Sequence, residues 1–436
     1  MNPNNHLMQL KDKHIFILGL MKFDSEIEST NYTIARQLAK HNKVYYIDNP
    51  FTWKDCIYQI RSQGFNRRKN YFLSNNYEIP DPRDPNLKVV ITPPLMSINW
   101  IPEGKVYRSM LKFNERIILS RINQIIRKYN IKSYIYINSF NFYYPGVADR
   151  LSPELVVYQC VDPLVFAFEK KHGIISEHKI VQESDLVICT SKQLCEEKKK
   201  LNKNTFFIPN AADITHSSKA LEENLPTHES LQNIPKPIIG YFGNIERRID
   251  YELMRQVIDQ NRDKSFVFAG PVLRSYVPQW IFEKPNVHFV GPIAYQQMPQ
   301  MLKGFDVCVI PFKKDEVSAN IFPLKLFEYL GAGKPVVATD FNLDLKDYTG
   351  TTVMYCNDAA SFSEAISTAI NGADEQQRKD RLSIASQNTW ERRVDELASL
   401  MNRHIQLKHG IARQPTLIAS HEEVNPTKGE SIVTID

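Results

Sequence analysis

Two charged side chains, Lys325 and Glu328, stand in a mostly apolar run of the chain and are suited to binding a nucleotide. The run spans residues 318–340 and reads SANIFPLKLFEYLGAGKPVVATD. Free N–H groups and the dipole at a helix N-terminus favour an anion such as phosphate, and Lys325 would add a full positive charge there. Glu328 could accept hydrogen bonds from the hydroxyls of a ribose. One helix could therefore hold both halves of a nucleoside diphosphate.

The elements that would position these side chains are predicted by the same run. Pro323 suits the first helical turn, where its missing N–H costs nothing. Gly331 and Gly333 are typical of a helix end, and residues 336–339 are typical of a buried strand in a parallel sheet. The pattern predicts a loop, a short helix and an interior strand, with both charged side chains in the first two helical turns.

Another loop of the same half could contribute positive charge. The segment 238–250 reads IIGYFGNIERRID, in which a predicted strand ends at Gly243 and a helix follows shortly. Glycine lets the backbone approach a ligand closely. Either Arg247 or Arg248 could clamp a diphosphate with its forked guanidinium, although both could also be ordinary surface arginines.

Strand and helix patterns alternate along the whole chain and predict α/β architecture with parallel sheets. The predicted strands are 14–20, 43–47, 88–91, 133–137, 155–160, 186–190, 206–208, 237–242, 266–269, 287–290, 307–310 and 335–338. The main predicted helices are 30–41, 107–129, 251–260, 295–303, 362–371, 375–387 and 390–404. Open parallel sheets bind ligands beyond the carboxyl ends of their strands, so two such sheets would share one cleft.

A chain of 436 residues is too long for one ordinary core and suits two domains and a tail. We predict a first Rossmann-like domain over residues 1–212, a polar linker over 213–236 and a second Rossmann-like domain over 237–387. Residues 388–408 are predicted to form a last helix, and the polar residues 409–436 are expected to be disordered.

The run around Glu328, LGAGKPVVATD included, resembles the nucleotide-sugar signature of glycosyltransferases of the glycosyltransferase 4 (group 1) type, which have the GT-B fold. PLKLFEYL is most similar to a bacterial subgroup that builds cell-surface polysaccharides, including teichuronic-acid transferases. The resemblance implies that two Rossmann-like domains face each other across a cleft and that the last helix crosses back to the first domain. Many members carry a second Glu eight residues before the first, where this chain has Asn320.

The resemblance also implies roles for individual residues. Asp162, Lys325 and Arg248 are the catalytic candidates, with Asp162 orienting or deprotonating the acceptor hydroxyl; its structural alternative is a helix N-cap. Lys325 and Glu328 could instead form a surface ion pair. The loops at Gly270-Pro271 and Gly291-Pro292 would cradle the nucleobase through backbone groups, and they could also be ordinary turns. Asp24 and Glu26 are weaker acceptor-side candidates. The donor-binding candidates are Gly243, Asn244, Arg247, Gly270, Gly291, Pro292, Ile293, Asn320, Ile321, Phe322, Pro323, Lys325, Leu326 and Glu328.

Composition limits the setting in which this chemistry would occur. The 42% hydrophobic and 24% charged residues are typical of a soluble globular protein. The six scattered cysteines indicate reduced thiols and a cytoplasmic protein. The formal net charge of +5 is modest, but the basic-aromatic stretch 67–72 leaves open a peripheral contact with the inner face of a membrane. Nucleic acid is not expected, because no binding motif accompanies the charge.

The resemblance implies transfer of a sugar, with retention at the anomeric carbon, from a UDP- or GDP-linked donor to a glycan or lipid-linked acceptor. No acidic pair suited to presenting a metal-bound diphosphate is evident, so we expect no metal and no cofactor. A GT-B-fold epimerase and a non-catalytic nucleotide-sugar-binding partner of another transferase stay open as alternatives. A dinucleotide dehydrogenase is disfavoured, because no predicted strand ends in G-x-G-x-x-G.

Overall fold

The computed structural model describes residues 10–25, 30–166, 168–372 and 374–410, and in this part of the chain it has two β-sheets built mainly from parallel strands. The chain completes the first sheet before it enters the second. This confirms the predicted α/β class. The domain boundaries given above stay predictions.

The first sheet has the strand order β3-β4-β2-β1-β5-β6-β7-β8, and only β3 is antiparallel, to β4. The three-residue β3 was not predicted, because a segment that ends in Pro80 shows no alternation of apolar and polar residues. The strands are β1 (His14–Gly19), β2 (Lys43–Ile47), β3 (Glu78–Pro80), β4 (Leu87–Val90), β5 (Ile135–Ser139), β6 (Leu155–Cys160), β7 (Leu186–Cys189) and β8 (Thr205–Phe207).

Two helices of the first domain, α2 and α6, begin at residues whose side chains cap the first turn. Thr52 and Asp55 form a capping box at α2, and the Ser191 hydroxyl accepts the Leu194 N–H at the start of α6. In the described residues no helix is long and apolar enough to span a bilayer. The helices are α1 (Thr30–Ala39), α2 (Trp53–Tyr58), α3 (Gln63–Arg68), α4 (Lys105–Lys128), α5 (Ile174–Glu183) and α6 (Lys192–Lys199).

The predicted linker contains a short helix, α7 (Ile214–Ser217), and two 3-10 turns. The sequence of this segment is polar and lacks periodicity, which predicts a linker without regular elements. Asp213 explains the helix, since its carboxylate accepts the His216 N–H as an N-cap.

The second sheet is parallel throughout, with the order β11-β10-β9-β12-β13-β14. Its strands are β9 (Ile238–Phe242), β10 (Ser265–Ala269), β11 (Val287–Gly291), β12 (Val307–Ile310), β13 (Val336–Thr339) and β14 (Val353–Cys356). Its helices are α8 (Tyr251–Gln260), α9 (Met298–Gly304), α10 (Leu324–Gly331), α11 (Lys346–Thr349), α12 (Ala359–Asn371) and α13 (Glu375–Gln387). The strand order reverses between β9 and β12, which is where such sheets bind ligands.

The last helix, α14 (Trp390–Lys408), returns to the first domain, as the resemblance implied. Its buried side chains, among them Trp390, Leu397 and Met401, share a core with Ile15 and Ile17 of β1. The Glu391 carboxylate also pairs with Lys40 at 2.9 Å. The predicted disordered tail lies outside the described residues, apart from residues 409 and 410.

We expect Met401→Ala to destabilise the first domain, because Met401 is fully buried where α14 meets the first sheet. Truncating a buried methionine typically costs about 2–5 kcal/mol. Urea unfolding followed by fluorescence would measure this loss, with Arg403→Ala on the exposed side of α14 as the matched control. Equal stabilities of the two variants would show that α14 does not contribute to that core.

Candidate functional site

A cavity of about 660 Å³ lies between the two domains, at the carboxyl ends of strands from both sheets. From the first domain, Asp162 follows β6 and Asn210 follows β8. From the second, Gly243 follows β9, Gly270 follows β10 and Phe312 follows β12. The cavity therefore occupies the position that parallel-sheet topology predicts.

Helix α10 brings Lys325 and Glu328 into this cavity, as the sequence predicted. Pro323 is its N-cap, and the apolar side of the helix, including Leu326 and Phe327, is fully buried. Burial of that side fixes the rotation of the helix, so the two charged residues face the cleft. Glu328 is only 6% exposed, which argues against an ordinary surface ion pair with Lys325.

The Lys325 ammonium group is held against two aromatic rings. Its Nζ donates a hydrogen bond to Tyr241 Oη at 2.7 Å and lies 3.9 Å from the centre of that ring and 5.3 Å from that of Phe312. Burial and the nearby positive charge of Arg248 lower the pKa of Lys325 to about 7, although Glu328 and Glu246 oppose the shift. Among the described residues Lys325 has no salt-bridge partner, and a bound anion would stabilise its charged form.

Two glycines make room for this lysine. A Cβ on Gly243 would lie 2.5 Å from Lys325 Nζ, and a Cβ on Gly270 would lie 2.1 Å from the backbone oxygen of Gly243. Both residues have positive φ angles, 139° and 148°. Only residues without a side chain allow these two loops and the ammonium group to approach so closely.

The two neighbouring arginines occupy different places. Arg248 lines the cavity, and its guanidinium donates a hydrogen bond to Glu246. The Arg247 guanidinium lies 4.9 Å from the ring of Phe166 and does not line the cavity. The sequence left open which arginine would contact a diphosphate, and the geometry favours Arg248.

A tyrosine that the sequence did not single out holds Glu328. Tyr295 Oη donates to Glu328 Oε1 at 3.0 Å, and the Tyr295 backbone oxygen is 2.8 Å from His216 Nε2. The rings of His216 and Tyr295 also pack with centres 4.7 Å apart. The contacts of Tyr295 fix the glutamate at the cavity wall, where one carboxylate can accept from a pair of hydroxyls.

Asp162 lies opposite α10, on the first-domain side of the cavity. The residue is open to the cleft, yet the surrounding protein desolvates its carboxyl group and raises its pKa to about 6, while Arg248 opposes the shift. The helix that follows begins well beyond it, so Asp162 is not an N-cap. A carboxyl group with this pKa can exchange a proton near neutral pH.

The structure brings most of the predicted residues together in this cavity. The predicted residues that line it are Asp162, Gly243, Asn244, Arg248, Gly270, Pro292, Ile293, Ile321, Phe322, Pro323, Lys325 and Glu328. Gly291, Asn320 and Leu326 do not line it. The Asn320 side chain instead accepts from Ser191 Oγ at 2.9 Å and donates to the Glu316 backbone oxygen at 2.8 Å, so it links the two domains.

The acceptor-side candidates are not brought to the same place. Asp24 is held by Arg68, whose Nη1 donates to it at 2.9 Å, and it lines a neighbouring cavity of about 480 Å³ whose walls come mainly from the first domain. Glu26 lies outside the described residues. The two cavities share Ser25 and Tyr295, so a molecule in the second could reach the first.

Several residues of the site were missed by the sequence analysis. Tyr241, Phe312 and Tyr295 line the cavity, but aromatic residues at or just after strands are ordinary core residues in a sequence pattern. The available signal was their position in the sequence, because each lies within two residues of a predicted loop or turn residue: Gly243 for Tyr241, Pro311 for Phe312 and Ile293 for Tyr295. Among the described residues no three His, Cys, Asp or Glu side chains form a group that could hold a metal ion, and the expectation of a metal-independent site stays a prediction.

Two Rossmann-like sheets that share a cleft, with the last helix returning to the first domain, define the GT-B class of fold. Residues 236–372 match the family model described as "Glycosyl transferases group 1". Residues 236–372 therefore form a glycosyl transferases group 1 domain, which confirms the resemblance found in the sequence.

A bacterial relative supports this assignment. The chain is 27% identical over 211 residues to "Putative teichuronic acid biosynthesis glycosyltransferase TuaH" of Bacillus subtilis (strain 168). The match covers 45% of this chain and 53% of that protein, so the chain spans about half the length of this relative.

Solved structures show the same fold at low sequence identity. Sucrose-phosphate synthase from Thermosynechococcus elongatus has a TM-score of 0.64 at 16% identity, over 91% of this chain and 100% of that one. Anabaena HepE in complex with UDP has a TM-score of 0.57 at 14% identity, over 88% and 98%.

We expect UDP to bind less tightly as the pH rises above about 7, if its phosphates contact Lys325. A bound diphosphate would raise the pKa of Lys325 above its value of about 7 in the empty cleft, so the complex binds more protons than the free protein. The association constant should then fall by up to about tenfold per pH unit until the pKa in the complex is reached. Calorimetric titration between about pH 7.5 and 9 would measure this slope, together with proton uptake.

Lys325→Arg is the control for this titration, because arginine stays protonated over the whole range. Its affinity for UDP should not depend on pH. If wild type and this variant show the same slope, Lys325 does not contact the phosphates.

We expect Gly243→Ala to weaken UDP binding at least about tenfold, because the new methyl group would displace Lys325 Nζ. Gly104→Ala is the matched control, since Gly104 has a similar φ of 151° and open space around it. Both variants carry the backbone strain of a side chain at positive φ. A loss of UDP affinity of the same size in both would mean that strain, and not the lost space at Lys325, is responsible.

Proposed function

We propose that this protein is a glycosyltransferase that moves a sugar from a nucleoside-diphosphate donor to a glycan or lipid-linked acceptor in cell-surface polysaccharide biosynthesis. The observation that carries the proposal is the pair of charged residues on α10. The lysine and the helix N-terminus favour a diphosphate, and the glutamate one turn further on favours a ribose. Two solved structures with this fold, both of Anabaena HepE, are complexes with UDP and with UDP-glucose.

The donor would lie along the second-domain wall of the cavity. Lys325 and Arg248 would bind the diphosphate, Glu328 the ribose hydroxyls, and the loops at Gly270 and Pro292 the base through backbone groups. UDP and GDP both fit this description, and the HepE complexes favour UDP.

The chemical step would break the bond between the anomeric carbon and the diphosphate oxygen and form a bond from that carbon to an acceptor oxygen. Lys325 and Arg248 would stabilise the negative charge that develops on the leaving diphosphate. Asp162 would orient the acceptor hydroxyl and take up its proton. We propose that the reaction needs no metal, because these two cations can supply the positive charge. We also propose that it retains the anomeric configuration, as the resemblance to the glycosyltransferase 4 type implies.

The acceptor would reach the cleft from the first-domain side, through the cavity that Asp24 lines. TuaH is named as a teichuronic acid biosynthesis enzyme, and this favours a growing cell-surface polysaccharide or its lipid-linked precursor as acceptor. The protein would work in the cytoplasm, and a lipid-linked acceptor would bring it to the inner face of the membrane.

The first test is a titration of UDP, GDP, ADP and CMP against wild type and Glu328→Gln. One nucleotide should bind, and the variant should bind it several-fold to about tenfold less tightly, because it loses a charge-assisted hydrogen bond to the ribose. Glu252→Gln, in the exposed first turn of α8, is the matched control and should bind as wild type does. Failure of all four nucleotides to bind wild type would overturn the donor-site assignment.

Turnover tests the catalytic part of the proposal. Asp162→Asn should lower the transfer of labelled sugar to a bacterial envelope-lipid extract by about 10²–10⁴-fold. Its nucleotide affinity should stay within about twofold of wild type, since Asp162 lies on the acceptor side of the cavity. A variant with wild-type turnover would remove Asp162 from the mechanism.

Asn320 favours a second candidate, a nucleotide-sugar-binding protein that acts on another transferase and has no turnover of its own. Its side chain bonds to Ser191 and to a backbone oxygen, so it would not supply the function of the glutamate found there in related chains. Nucleotide binding without turnover of any labelled nucleotide sugar would favour this candidate.

A further inference from the structure

Large apolar side chains are exposed mainly on one part of the first domain. Of the fifteen that are exposed in the described residues, eight lie between residues 53 and 113. Six of them define what we call the apolar face: Trp53, Ile57, Tyr58, Trp100, Val106 and Phe113. The exposed fractions of Tyr58 and Trp100 are 79% and 77%, so these side chains contribute little to the core.

The elements that carry the apolar face are joined to one another. The Trp53 N–H donates to the Leu95 oxygen at 2.9 Å, and Trp100 Nε1 donates to the Ser97 oxygen at 2.9 Å. The first bond connects α2 to the loop that carries Trp100, and the second holds the Trp100 ring against its own loop. The same loop packs onto α4, because Ile98 and Ile101 share a core with the buried side of that helix.

Helix α4 has an apolar stripe that no other part of the described chain covers fully. Val106, Met110, Phe113 and Ile117 recur at intervals of four and three residues, which places them on one side of a helix. Val106 and Phe113 are 65% and 49% exposed. Met110 and Ile117 are partly buried against the core, so Val106 and Phe113 are the members of this stripe that stay exposed.

The charge around the apolar face is positive. Four basic side chains are exposed on the same elements, Lys54, Lys105, Lys112 and Arg116, and Arg61 and Lys69 are exposed on the segment that follows α2. The carboxylates of segments 53–77 and 93–117 are engaged or buried. Asp55 caps α2, Glu103 pairs with Arg108 at 2.7 Å, and Glu115 is buried.

We propose that the apolar face rests on a lipid bilayer that contains anionic lipids. Tryptophan and tyrosine favour the boundary between lipid and water, and exposed apolar side chains flanked by lysine and arginine are typical of proteins that lie on such a surface. The positive charge favours an anionic bilayer over an uncharged protein partner. The biological purpose, access to a lipid-linked acceptor, rests on the proposed function, but the contact itself does not.

This face replaces the basic-aromatic stretch 67–72 that the sequence suggested for a membrane contact. Arg68 is 1% exposed and is paired with Asp24 and Asp48, and Phe72 is packed in a small core. Because Arg68 and Phe72 are buried, they cannot contact a membrane together with the exposed residues of this stretch.

The test is cosedimentation of the full chain with vesicles of phosphatidylcholine alone or with about one-third phosphatidylglycerol. Wild type should bind the anionic vesicles and should lose most of this binding when salt is raised from about 0.1 M to 0.5 M. The variant Trp53→Ser/Trp100→Ser/Phe113→Ser should bind at least about tenfold less, because the removed side chains are those that would enter the lipid boundary. These positions are exposed, so the variant should fold, which circular dichroism would verify.

Leu273→Ser/Tyr276→Ser/Leu343→Ser is the matched control, since these three side chains are exposed on the second domain. It should bind the vesicles as wild type does. The proposal is overturned if wild type does not bind anionic vesicles or if both triple variants lose binding equally. Light scattering tests the alternative that the apolar face joins two copies of the chain. A dimer that only the first variant abolishes, without any vesicle binding, would also overturn the proposal. UDP titration of the same proteins tests the proposed function separately.

Discussion

The site depends on one constraint: the ammonium group of Lys325 lies directly against the backbone of a glycine, Gly243. Lys325 Nζ occupies the space where a Cβ on Gly243 would lie, and Gly243 is itself in contact with the loop at Gly270. The loops after β9 and β10 and the start of α10 can meet only under this condition. Burial of the apolar side of α10 then fixes where Glu328 points, so one packing arrangement positions the cation and the carboxylate together.

The same arrangement explains why the cleft needs both domains. The second domain supplies the cations and the glutamate, but the carboxyl group opposite them, Asp162, belongs to the loop after β6. The bond between Ser191 and Asn320 joins the start of α6 to the loop before α10. It holds the first domain at a defined distance from the helix that carries Lys325, and it uses the side chain that was expected to face a ligand.

Much of the fold could be predicted from the sequence, because buried parallel strands such as 155–160 and 307–310 are short apolar runs between turn residues. The residues of α10 could be predicted as well, since two charged residues in an apolar helix have few structural uses. Tyr295 could not, because its role depends on the distance between two loops. The contacts of Asn320 and Arg68 could not be predicted for a related reason. Asn320 bonds to Ser191, and Arg68 pairs with Asp24 and Asp48. These partners are far away in sequence, and no local pattern indicates such pairs.

The return of α14 to the first domain has a consequence for synthesis on the ribosome. A chain emerges from its N-terminus, and domains generally fold as they appear. Here the core around β1 includes Trp390, Leu397 and Met401, which are translated after the whole second domain. The domain that is made first therefore keeps an uncovered apolar surface until the last helix leaves the exit tunnel. Completion of this first core therefore waits for synthesis of the whole second domain and of α14.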